Sequence, residues 1–177
     1  MTRVLLFLLG AIPVLAAIFI VIPQLTKPEI PITAADSNDV ISIEYSKQHL
    51  KKVTFGLTET IGAQKTELLL IQKDGSVTYS ITKNGYPEPD IKYDIEKPEL
   101  KKLTALIKET GFMQIPSSSF PINSGVDEFD KFGLKVTLNG KSTNVQWPEQ
   151  NATETFIPPL FDAVKSQLEG IIAEIIK

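Results

Sequence analysis

The sequence has no cysteine and a single histidine, His49. The first absence excludes disulfides, thiolate nucleophiles, thiolate metal sites and a lipidated cysteine anchor. The second excludes every two-histidine metal motif and leaves a Ser-His-Asp triad only His49 to use, with no nucleophile-elbow motif beside it. Neither standard Gly-rich phosphate loop occurs. Long runs of one charge are also missing: 18 Lys plus Arg stand against 21 Asp plus Glu, for a formal charge of -3. A phosphate-tracking surface, and with it a nucleic-acid partner, is therefore not expected. No catalytic residue, metal ligand or cofactor-binding residue is assigned, and a paired-carboxylate hydrolase has no supporting motif.

What is present begins with an uncharged run. Residues 4–22, "VLLFLLGAIPVLAAIFIVI", reach about 28 Å as a helix, close to the roughly 30 Å hydrocarbon layer. Their insertion free energy sums to roughly -6 kcal/mol. A cleaved signal peptide is the competing reading, but its apolar region is shorter and ends close to a small-residue cleavage site, whereas Thr33-Ala34-Ala35 lies well beyond Ile22. The expectation is a transmembrane signal-anchor over residues 1–22. Arg3 before the span and Lys27 after it, together with the N-terminal amine, favour a cytoplasmic N-terminus and a domain outside the membrane. Residues 23–48 read as a proline-containing tether, with "VISIEY" at 40–45 alternating weakly enough to be either its continuation or a short strand.

The folded part is expected over residues 49–177. Asp74-Gly75 and Asn139-Gly140 are each flanked by β-type runs, the strongest local signal for a two-residue hairpin. Around Asn139-Gly140 the expected pairs are Leu138 with Lys141, Val136 with Thr143, Leu134 with Val145 and Phe132 with Trp147, which puts the apolar residues on one face. Around Asp74-Gly75 the expected pairs are Leu70 with Tyr79 and Leu68 with Ile81, with Leu69 and Ile71 facing a second covered side. "LKKVTFGLTET" at 50–60 reads as one further strand with Val53, Phe55 and Leu57 on one side. Pro98, a Leu100, Leu103, Leu106, Ile107 stripe and Gly111 delimit one helix. Pro158-Pro159 opens a second helix, in which apolar residues recur from Leu160 to Ile175. The expected fold class is α+β: an antiparallel sheet of about five strands in β-ββα-ββα order, with both helices on one face.

Between the first helix and the second hairpin lies "PSSSFPINSGVDEFDKFG", residues 116–133. A connection this long is usually functional or disordered. Its serines have no nearby base, and Asp127, Glu128 and Asp130 lack calcium-loop spacing. Phe120 is read either as a plug into the core or as an exposed anchor. Asp127 and Glu128, with Ile61 and Gly62 of "TIGAQK", are the candidate partner-binding residues. Asn151-Ala152-Thr153 makes Asn151 a candidate glycosylation site.

In order and spacing, "LLLIQKDGSVTYSI", "EKPELKKLTALIKETGFMQIP", "VDEFDKFGLKVTLNGKSTNVQW" and "IPPLFDAVKSQLEGI" resemble the emfourin-like family of small inhibitors of thermolysin-type metalloproteases. The resemblance spans residues 50–175 and implies a non-enzymatic, protein-binding role against a protease. It departs at "TETIGAQKTE", which has one glycine where that family carries two. The alternative role is an accessory subunit of a larger membrane complex, with Gly10, Ala11, Ala16 and Ala17 permitting close helix contact.

Overall fold

Asn139 and Gly140 both have positive φ, 51° and 81°, which gives the tight mirror-type turn whose twist matches that of the flanking strands. A computed structural model describes residues 34–177, and in it this turn joins Glu128–Leu138 to Lys141–Pro148. The pairs are Phe132 with Trp147, Leu134 with Val145, Val136 with Thr143 and Leu138 with Lys141, as the alternation of the sequence requires. The expected span at 4–22 and residues 23–33 of the expected tether lie outside the described residues. Among the described residues no helix is long and apolar enough to cross a membrane.

Among the described residues eight strands make one sheet, not the expected five or so in β-ββα-ββα order, because short edge strands join it and the first long run is two strands: β1 (Ile41–Phe55), β2 (Thr58–Ile71), β3 (Ser76–Lys83), β4 (Tyr86–Pro87), β5 (Ile91–Asp94), β6 (Ser118–Ser119), β7 (Glu128–Leu138) and β8 (Lys141–Pro148). Their order is β4-β3-β2-β1-β7-β8-β6, with β5 also on β3. The sheet is mixed rather than antiparallel throughout, because β6 runs parallel to β8. Among the described residues the two α-helices are α1 (Lys97–Glu109) and α2 (Pro159–Ile175). Gly111, at φ 68°, turns the chain out of α1.

Three further expectations are corrected. Residues 41–48 are not tether: they are the first half of β1, the central strand, hydrogen-bonded to both β2 and β7. Residues 50–60 are not one strand either, because Gly56, at φ 61°, reverses the chain there and Leu57 stands fully exposed at the turn. At the Asp74 turn the register shifts by one, so that Leu69 pairs with Tyr79 and Ile71 with Val77. The cause is a longer loop. Gln72 N–H bonds the carbonyl of Ser76, and Gly75 takes a φ of 90°, which adds one residue relative to a two-residue turn.

That shift leaves one buried side of the sheet. Ile41, Ile43 and Tyr45 of β1, Leu69 and Ile71, Val77 and Tyr79, Leu134 and Val136, and Val145 and Trp147 are all buried, and all but Ile41, opposite Leu138, and Trp147, opposite Phe132, pair across one another. Leu68 and Leu70 point the other way and are half-buried. Phe161 of α2 packs on Trp147 at 4.9 Å between ring centroids, and Phe112, just after α1, meets Phe161 edge-on at 6.2 Å. Phe120 acts as a plug, edge-on to Phe161 at 5.8 Å. The chain enters the domain beside the β7–β8 turn, where the Asp39 carboxylate accepts hydrogen bonds from Asn139 and Lys108.

Candidate protein-binding site

β1 and β2 outrun the rest of the sheet. The ladder to β7 closes with Lys51 opposite Glu128, and the Lys52 N–H then bonds the carbonyl of Asp127. On the other side the ladder to β3 closes with Lys65 opposite Lys83. Past these points the β1–β2 ladder runs on to Phe55 opposite Thr58. The result is a two-stranded arm that projects roughly 15 Å beyond its last neighbour on the β7 side. Its departure is marked by a register shift between His49 and Leu50, where Gln64 is the extra residue on β2. Such a bulge raises local twist and re-aims the strand.

Beside the arm's root, residues 122–127 close a cleft of about 350 Å³ lined by Lys52, Glu59, Ile61, Ile122, Val126 and Asp127, among others. Ile61 is 53% exposed and Ile122 38%, so the cleft offers water two apolar side chains, one from the arm and one from the 122–127 segment. Its charged groups are already matched: Lys52 Nζ lies 2.6 Å from Glu59 and 3.4 Å from Asp127. The hydrogen bond to Glu59, followed by that to Asp127, raises the Lys52 pKa. An ammonium held charged by two carboxylates is a poor general base.

The structure thus brings Ile61 and Asp127 into one cleft but turns Glu128 away from it. Successive strand residues face opposite sides, so Glu128 pairs instead with Lys51 at 2.9 Å and His49 at 3.0 Å. Gly62 does not line the cleft: it pairs with Lys51 on β1, and by the same alternation it faces the other side from Ile61. Asn151 is exposed on a short turn, Gln150–Ala152, while Thr153 is buried and its hydroxyl accepts the Thr155 N–H. Sequence reasoning missed Leu57, Ile122 and Lys52. The signal for Leu57 was present: residues 41–71 are too long for one strand, and Gly56 divides them.

No family model and no curated protein matches the chain. The site therefore has to be read from its own chemistry.

A second polar cluster lies on the helix side of the arm's root. His49 Nδ1 is 2.9 Å from Asp130, Lys47 Nζ is 3.4 Å from Asp130 and 3.8 Å from Glu169 of α2, and the Tyr45 hydroxyl donates to Glu169 at 3.2 Å. Burial, then Glu169, pushes the Tyr45 phenol well above its ordinary range. On β2, burial acts to raise Glu67, but hydrogen bonds from Lys65 and Tyr79 outweigh it and leave its pKa lowered. Among the described residues no group of three or more His, Asp or Glu is placed to hold a metal ion.

Proposed function

We propose that this chain is a non-enzymatic protein-binding domain, held at a membrane by residues 4–22 and displayed outside it, which captures a partner between the β1–β2 arm and residues 122–127. The observation that carries this reading is the cleft itself. It gathers exposed Ile61 and exposed Ile122 in one lining at the root of an arm whose tip, Leu57, is fully exposed. Apolar groups with a rim of matched charge suit a protein surface better than a small polar substrate. The most specific form of the proposal is inhibition of a thermolysin-type metalloprotease, which the emfourin-like resemblance suggests. In that form, the arm and the loop are the parts that meet the protease.

The test is direct. The full-length chain in detergent is titrated into a thermolysin-type protease, alongside Ile61→Asp and Ile122→Asp variants. Stoichiometric loss of protease activity, relieved by both substitutions, supports the proposal. Full protease activity at excess chain rejects inhibition. A larger native-gel species after mild extraction, insensitive to both substitutions, would assign the domain to a membrane complex through another surface.

A further inference from the structure

We propose that His49 is a pH-set clamp at the root of the arm, one that grips β7 through two carboxylates as an imidazolium and through only one as a neutral ring. Both ring nitrogens face acids, with Nδ1 2.9 Å from Asp130 Oδ1 and Nε2 3.0 Å from Glu128 Oε1. Ionised carboxylates only accept hydrogen bonds, and a neutral imidazole carries one N–H and one lone pair. Doubly protonated His49 satisfies both acids. The neutral ring sets a lone pair against one carboxylate.

Position gives this local chemistry a consequence. His49 stands beside the β2 bulge and opposite Asp130, two pairs before the β7 ladder closes at Lys51 and Glu128. It therefore joins the first residues of β7 to β1 just where the arm departs. The charges facing it come from every neighbouring element. Lys47 and Lys51 flank it on β1 and bind Asp130 and Glu128 respectively. Lys65 opposes it on β2 but is held by Glu67 at 2.7 Å, and Glu169 of α2 is shared with Lys47.

The pKa directions agree with this geometry. The Asp130 hydrogen bond, opposed by desolvation and reinforced by Glu128, raises the His49 pKa above 6.5. Lys51 first, and then His49, lowers that of Glu128 below 4.5. A raised histidine pKa gives a contribution that is complete below about 6.5 and lost as pH climbs through the folded value. The Glu128 contribution is complete above about 4.5 and lost as pH falls through its lowered value. The clamp is closed between these limits. Past the upper one the arm's angle loosens and the cleft wall formed by Lys52 and Ile61 moves with it. That consequence for capture rests on the binding reading above, whereas the clamp itself does not.

His49 is the only histidine in the chain, so its imidazole resonances in the full-length protein are unambiguous. Titration by NMR is expected to give a midpoint above 6.5, with protons on both nitrogens below it, and Glu128→Gln should move the midpoint down. Hydrogen exchange of the Lys52 amide, corrected for intrinsic rate, should speed up several-fold as pH rises through that midpoint. The amide of Leu134, deep in the sheet, should show no such step. His49→Gln should abolish the step. A midpoint at or below 6.5, a flat Lys52 profile, or a step that persists in His49→Gln would each overturn the clamp. None of these readouts needs a partner, so they fail or succeed independently of any loss of binding.

Discussion

At the scale of single residues, stability rests on a few side chains whose neighbours leave no alternative. Trp147 is 1% exposed and lies between Phe132 at 5.7 Å and Phe161 at 4.9 Å. Truncation to Ala is expected to cost about 3 to 5 kcal/mol, measured by denaturant melts. The native fluorescence of this sole tryptophan should be blue-shifted and poorly quenched. Gly75 is constrained twice over, by a φ of 90° and by the Ile95 carbonyl, which a Cβ would meet at 2.9 Å. Gly75→Ala should therefore cost about 1 to 3 kcal/mol and exceed the cost of Gly140→Ala, where a Cβ meets open space. Asp39 holds both Asn139 and Lys108, and its pKa is lowered, the Asn139 hydrogen bond being the largest cause. A lowered carboxylate pKa stabilises above about 3.8 and stops doing so as pH falls through the folded value. Asp39→Asn should accordingly flatten the acid limb of a stability-against-pH curve.

At the scale of elements, the arm is the feature whose behaviour differs from its surroundings. β1 has fifteen residues, of which those up to Lys51 have strands on both sides. Beyond the Lys52 bonds to Asp127, the remainder pairs with β2, and an isolated two-stranded ribbon is marginal in water. Its backbone should exchange hydrogen faster than the same strands nearer the core, with Thr54 and Thr60 faster than Ile43 and Leu69. Replacing the tip with a shorter Asn-Gly turn after Val53 should leave the melting temperature nearly unchanged, because Thr54, Gly56, Leu57, Thr58 and Glu59 are exposed. The same replacement should abolish partner capture if the arm is the binding element. A matching loss of melting temperature and binding would make the arm part of the folding unit.

At the scale of the whole molecule, the domain begins earlier than its apparent first strand. Removing residues 1–33 should yield a folded monomer, while removing residues 1–39 should lower stability by about 1 to 3 kcal/mol, since Lys108 and Asn139 lose a charged partner; thermal melts of the two truncations decide this. Much of the architecture was legible from local chemistry. Asn139-Gly140 and strict alternation set the β7–β8 register, and Pro98, Gly111 and Pro159 bounded the helices, because turn geometry and capping act over a few residues. Asn84-Gly85, with φ of 49° and 82°, carried the same legible signal for the β3–β4 turn. What the sequence could not settle was non-local. "VISIEY" alternates too weakly to announce a central strand, and only pairing with β2 and β7 on both sides makes it one. Nor does adjacency in sequence bring Asp127 and Glu128 to one site, since the pleat of β7 sends one to the cleft and the other to His49. The cleft joins residues some sixty positions apart, Ile61 and Ile122, and a contact of that kind exists only once the sheet has assembled.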